Sequence, residues 1–275
     1  MPYLLVVSEV DPVASRVVEH WGTPESTGEF VDGAPIRRLS SAALLLRRSS
    51  LHIRDERLDL RLPTALREAR TTLVFPSIHR SERGIESLTV HPLGNPGPSH
   101  EVGGRPRTLN PTDPRRMTDA LRRLIEGSSA VGLPATFEAT HHGPELGLPS
   151  FFVEIGYGDR DEPPIAAVRL LAEILPELGQ DLRDRTAVGA GGGHYAPHFT
   201  ELARRRRWSF GHLLSRHALE EIDAATADAS VRLTPGAEGI VFARAEDRSR
   251  PQWANAGPRL KDQLAPSRSE AQPSS

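Results

Sequence analysis

Tyr3-Leu4-Leu5-Val6-Val7-Ser8-Glu9-Val10-Asp11-Pro12 decides the fold class, because it passes from an unbroken apolar run straight into a helix start. A short run of valine and leucine reads as a strand buried on both faces. Asp11-Pro12 then supplies an N-cap and a proline at the first helical position, and Val13, Val17, Val18 and Trp21 follow at helical spacing. The same alternation recurs along the chain. Ile36 to Leu39 and Ala42 to Leu46 read as a hairpin, and Thr71 to Phe75 as another buried strand ending near His79. Arg115 to Ile125 and the segment opened by Pro163-Pro164 read as helices. Ala135 to His142, Phe151 to Ile155, Thr186 to Val188 and Gly239 to Ala243 read as strands, and helices are expected from about Thr200 and Ser215. Strand–helix alternation without internal repeats predicts an α/β fold: a single three-layer α/β/α domain with a mixed central sheet. It would span residues 1–250, with a disordered Pro/Ser/Gln/Arg-rich tail over 251–275.

Composition narrows the chemistry. The 275 residues contain no cysteine, so any metal must be held by histidine and carboxylate, and the chain is expected to be cytoplasmic. No apolar run is long enough to span a bilayer. The net charge is −2, yet Lys261 is the only lysine. Coding bias accounts for that, but guanidinium forks also suit phosphate. The densest charge run, Arg204-Arg205-Arg206-Arg207-Trp208, reads either as a solvated helix face or as a phosphate footprint with Trp208 free to stack.

Gly189-Ala190-Gly191-Gly192-Gly193-His194-Tyr195 is the strongest candidate for chemistry. Consecutive glycines permit positive φ and close approach to a ligand, and a histidine follows directly. Neither a dinucleotide fingerprint nor a P-loop fits, since His194 stands where the last glycine would be and no Gly-Lys-Ser/Thr follows. His141 and His142 are adjacent; strand alternation would point them to opposite faces, with the turn at Gly143-Pro144 able to bring both into use. Glu154 is a lone carboxylate on an otherwise apolar strand, so burial demands a ligand or a partner. His79 and His91 flank a segment, Ser81 to Pro111, rich in Gly, Pro and Ser, expected to be a long loop.

His79 with Ser81, Leu88-Thr89-Val90-His91 with Gly94-Asn95, Thr140-His141-His142-Gly143-Pro144, Pro149 to Gly156, Gly191 to Pro197 and Phe210-Gly211-His212 occur in the order found in one family. On these motifs the chain resembles the archaeal and plant type of D-aminoacyl-tRNA deacylase. It departs by lacking the threonine usual after His-His-Gly-Pro and by carrying Tyr157-Gly158 after Gly156, while every candidate histidine is retained. The resemblance implies a phosphorylase/hydrolase-like fold and cleavage of the ester between a D-amino acid and tRNA. It also implies one or two Zn²⁺ ions, held among His79, His91, His141, His142, Glu154 and His194. His194, His142 and Glu154 are then the candidate catalytic groups. Gly191, Gly192, Gly193 and Tyr195 would bind substrate, and Arg204, Arg205, Arg206 and Arg207 would hold the acceptor stem, in a monomer that needs no protein partner. A zinc amidohydrolase or peptidase acting on a small substrate, and a non-catalytic RNA-binding protein, are the competing readings.

Overall fold

A computed structural model describes residues 2–81, 83–205 and 207–260. The strands are β1 (Tyr3–Ser8), β2 (Glu25–Val31), β3 (Ala34–Arg38), β4 (Ala43–Arg48), β5 (Leu73–His79), β6 (Ser87–Pro92) and β7 (Gly94–Asn95). They continue with β8 (Thr108–Leu109), β9 (Ala135–Phe137), β10 (Ser150–Gly156), β11 (Arg185–Ala190), β12 (Trp208–Leu214), β13 (Ala237–Phe242) and β14 (Arg259–Leu260). Eight of them form one mixed sheet in the order β2-β3-β4-β1-β5-β10-β6-β9. The expected α/β class with a mixed central sheet is therefore present. A second, four-stranded parallel sheet, β12-β11-β13-β14, lies beside it, which the periodicities did not foretell.

The opening stretch folds as read: β1 is buried along its whole length, and Asp11 caps the next helix by accepting from Val13 and Ala14 N–H. One face of the large sheet packs Leu5, Val7, Val74, Phe151 and Val153 against helices Pro12–Val18, Pro114–Val131 and Ile165–Ile174. Helix Pro114–Val131 also packs on β12, so the same core takes in Phe210, Leu213 and Val241 of the second sheet. The opposite face buries Leu4, Val6, Phe75 and Phe152 under two short helices and loops, and it is this face that carries the histidines.

Three expectations change. The Ser81 to Pro111 segment is not all loop: Ser87–Pro92 is a fully buried strand, antiparallel to β10, and it is the strand that makes the sheet mixed at the site. The strand from Ala135 ends at Phe137 rather than His142. The tail boundary at 250 is too early, because Trp253 is buried against Phe242 and Arg259–Leu260 pairs with β13. Residues 261–275 lie outside the described residues.

Candidate active site

Sheet register builds half of the site. In β10 the residues Phe152, Glu154 and Gly156 share a face; β5 sets Phe75, Ser77 and His79 opposite them, and β6 sets His91, Thr89 and Ser87. Residues directly opposite in neighbouring strands point the same way, so Glu154 is flanked by both histidines. Glu154 Oε2 lies 3.3 Å from His79 Nδ1 and 3.7 Å from His91 Nε2. The His91 ring stacks on Phe152 with centroids 5.1 Å apart. Gly156 leaves the room His79 uses: a Cβ there would sit 3.0 Å from His79 Cδ2.

The segment after β9 supplies the other half, and it also ties the two sheets together. Glu138 N–H donates to Val90 of β6, Ala139 N–H to the carbonyl of His194, and Thr140 N–H to Leu213 of β12. This backbone crosses between sheets and is no longer pleated. His142 takes φ +41, a region that few non-glycine residues enter. Strict alternation therefore fails, and His141 and His142 face the same space with ring centroids 4.5 Å apart. His141 lies 4.0 Å from His91 and 4.8 Å from His194, centroid to centroid. The imidazoles at 79, 91, 141, 142 and 194 thus converge with Glu154.

A second carboxylate, which the sequence reading passed over, sits at the centre. Glu138 is fully buried; its Oε1 is 3.1 Å from His79 Nδ1, and its Oε2 is 3.7 Å from His194 Nε2 and 3.8 Å from His141 Nε2. Its readable sign was its place three residues before His141. Alternation assigned it to the face of His142; continuing the register past Phe137 sets it beside His91, and the broken strand then brings His141 round to it. Burial, and next the charge of Glu154, push the Glu138 carboxyl up to about 7. Burial acts on Glu154 in the same direction, but the imidazoles of His79 and His91 outweigh it and hold that carboxyl well below the usual range. Two nearby carboxyls with opposed environments are the arrangement that separates acid from base roles. Burial, and then the neighbouring His91, lower His142 and His194 to about 4, so both rings are neutral at pH 7. His79 is raised, because Glu154 and Glu138 outweigh its desolvation. Its Nε2 shares a hydrogen bond of 2.9 Å with the Tyr195 hydroxyl, which brings Tyr195 into the site.

The donor set fits a metal. His91 Nε2 and both Glu138 carboxylate oxygens are buried and make no hydrogen bond. Such atoms carry a full desolvation penalty unless something binds them. Three overlapping triads, His91–His141–His142, Glu138–His141–His194 and His79–Glu138–Glu154, each hold their ligand atoms within 4.8 Å of one another. Nitrogen and oxygen donors without sulfur suit Zn²⁺.

The remaining candidates divide. Gly191 and Gly192 take φ +97 and +82, as the loop after β11 requires. Gly191 N–H, however, already donates to Leu214, which leaves Gly192 and Gly193 as candidate donors to substrate. The arginine run is not at the site. Helix Pro197–Arg204 returns along β11, and Arg207 precedes Trp208, whose register partner is the first residue of β11. The run therefore lies at the opposite edge of this sheet, about 20 Å away along the strands. Arg204 and Arg205 both pair with Glu201, and Arg206 lies outside the described residues. Trp208 is buried, with the Arg185 guanidinium 4.4 Å from its ring centroid, and offers no stacking platform. Exposed basic groups at the histidine edge include Arg80, which lines a cavity with His79, His141 and His142, and Arg216, whose N–H donates to the Gly192 carbonyl.

Residues 66–257, which contain every member of this cluster, match the family described as D-aminoacyl-tRNA deacylase. The chain belongs to that family. It is 40% identical over 173 residues to the D-aminoacyl-tRNA deacylase of Thermoplasma acidophilum, covering 62% of this chain and 67% of that protein. It is 36% identical over 212 residues to the enzyme of that name from Methanosarcina mazei, covering 73% and 69%. A crystal structure described as a conserved protein of unknown function superposes with a TM-score of 0.78 at 26% identity, over 94% of each chain.

Proposed function

We propose that this chain hydrolyses the ester bond of D-aminoacyl-tRNA, releasing free tRNA and the D-amino acid, at the cluster of five histidines and two carboxylates. The family match is one support. The observation that carries the site is the buried, unbonded Glu138 among His79, His141 and His194. We assign the three triads as candidate holders of one or two Zn²⁺ ions, with His141 and Glu138 each common to two of them. Zinc in such a place supplies a Lewis acid that polarises an ester carbonyl and makes water a better nucleophile at neutral pH.

The chain's own groups then handle orientation and protons. Glu154, kept ionised, fixes His79 at Nδ1, and Tyr195 holds the same ring at Nε2. Glu138, with its carboxyl near 7, can take a proton at Oε2 close to working pH, where general acid–base catalysis is most effective. His194 is the most open of the group, its side chain 45% exposed, and its neutral ring can relay a proton through Nε2 to the leaving ribose oxygen. Gly192 and Gly193 N–H groups stand at the loop facing this opening and are assigned to the developing oxyanion. The same reading makes the protein a cytoplasmic monomer; no helix among the described residues is long and apolar enough to cross a membrane.

The test uses D-tyrosyl-tRNA and L-tyrosyl-tRNA as paired substrates. The D ester should be hydrolysed far faster, chelation should abolish the activity, and added Zn²⁺ should restore it. Equal rates on both stereoisomers would overturn the stereochemical claim, and full activity in metal-stripped protein would overturn the zinc assignment.

A further inference from the structure

At His79 alone a third cavity, of about 360 Å³, touches the histidine cluster, while two of different chemistry, of about 420 and 340 Å³, border it at His141 and His142. His141, His142 and Val102 line both and form the ridge between them. Away from the ridge, the larger cavity is walled by Leu51, Ile53, Ile78 and Phe152. The smaller is walled by Asn95, Ser99, Ser215, His217 and Glu221. An ester has two halves, and a scissile bond at the ridge would send one half into each. Resting on the function assigned above, we propose that the larger cavity receives the D-amino acid side chain and the smaller one the terminal nucleoside of tRNA.

Two observations fix this direction. Leu51 lines the larger cavity and not the smaller, and it is 38% exposed, so aliphatic surface stands open to water on that side of the ridge. A side chain delivered there covers the surface of Leu51, Ile53, Ile78 and Phe152, whereas a ribose would press its hydroxyls against the same wall, away from the polar lining at Arg80, His52 and the cluster itself. The second is polar supply. Asp11 also lines the larger cavity, but its carboxylate already accepts from Val13, Ala14 and Ile78 N–H and from the Ser77 hydroxyl. Glu154 is left as the carboxylate of this cavity that lies beside the histidines, and it faces the position an α-ammonium would take. The smaller cavity instead presents the hydroxyls of Ser99 and Ser215, the His217 imidazole and the Asn95 amide oxygen, whose own nitrogen is taken by the Gly103 and Arg105 carbonyls; such groups can read a ribose and a base.

The experiment compares kcat/KM for D-tyrosyl-tRNA and D-alanyl-tRNA in wild type and in two variants at exposed rim positions, Leu51→Trp and Ser99→Trp. Filling the larger cavity should lower the tyrosine-to-alanine ratio by about tenfold or more, as expected when a pocket loses room for a large side chain. Ser99→Trp should raise KM for both substrates and keep their ratio within about twofold. Leu51→Ala, which cannot obstruct the mouth, should leave the ratio no lower than in wild type and thereby separates blockage from misfolding. A ratio that moves with Ser99→Trp and not with Leu51→Trp reverses the assignment and overturns the proposal, as does a ratio unmoved by either. If wild type hydrolyses neither D ester, the parent reading fails first and this inference falls with it.

Discussion

His212 and two histidines of the cluster, His142 and His194, share one fold and one electrostatic outcome, yet His212 and the cluster differ in bonding. His212 is fully buried and, like His142 and His194, is lowered to about 4 by desolvation. Its Nε2 donates to the Asn110 carbonyl at 2.9 Å, and its Nδ1 lies 3.1 Å from the Thr140 hydroxyl, so both nitrogens are satisfied by protein. Thr140 also accepts from Leu213 N–H, which makes this imidazole part of the seam between the two sheets. In the cluster, by contrast, His91 Nε2 and the Glu138 oxygens are buried among imidazoles and carboxylates without a hydrogen bond. A depressed pKa therefore does not mark function here; unmet bonding capacity does.

Substitutions should separate the two regions cleanly. His141→Ala removes a group common to two triads and should lower kcat/KM on D-aminoacyl-tRNA by about a thousandfold or more with the fold intact, as steady-state kinetics and circular dichroism would show. His212→Ala leaves the Asn110 carbonyl and the Thr140 hydroxyl proton without their imidazole partner and opens a cavity. It should cost about 2–4 kcal/mol in urea unfolding while changing kcat/KM by less than about tenfold. Reversal of these two patterns would collapse the distinction.

Proton linkage sharpens it further. His142, His194 and His212 each titrate near 4 when folded, below the usual histidine value, so the unfolded chain binds more protons between about pH 4 and 6.5. Their stabilising contribution is complete above that window and is lost as pH falls through it. Glu138, raised to about 7, acts in the opposite sense, favouring the fold below its unfolded value and losing that contribution as pH rises towards 7. His141 and His52 are depressed by burial as well, so five depressed imidazoles against one raised carboxyl predict that metal-free protein loses stability from pH 6.5 to 4, measurable as a falling urea midpoint. His212→Ala should flatten that slope. The smallest effect belongs to the far edge: Arg204→Ala and Arg205→Ala break exposed pairs with Glu201 that solvent largely screens. They should change kcat/KM by less than about threefold, and a large loss would return the arginine run to the substrate interface.

What could be read beforehand followed from local physics. The strand and cap at Tyr3 to Pro12, the hairpin now seen as β3 and β4, and the helix-bearing alternation all rest on periodicity and capping, which short windows carry. The histidine set came from glycine-rich motifs and from resemblance. Two things depended on long-range register and stayed hidden. His91 sits on a buried strand whose Gly- and Pro-rich flanks suggested a loop, and His141 turns towards Glu138 because the strand breaks where two sheets meet. The misplaced arginines have the same origin: sequence proximity to His194 says nothing about a helix that carries the chain to the other end of the sheet.

Glu138→Gln tests the centre of the account, since it keeps side-chain volume while removing the charge shared by His79, His141 and His194. Single-turnover hydrolysis of D-aminoacyl-tRNA, with bound zinc counted in the same sample, should show a loss of about a thousandfold in rate together with reduced metal content. A folded variant that retains wild-type rate and full zinc would contradict it.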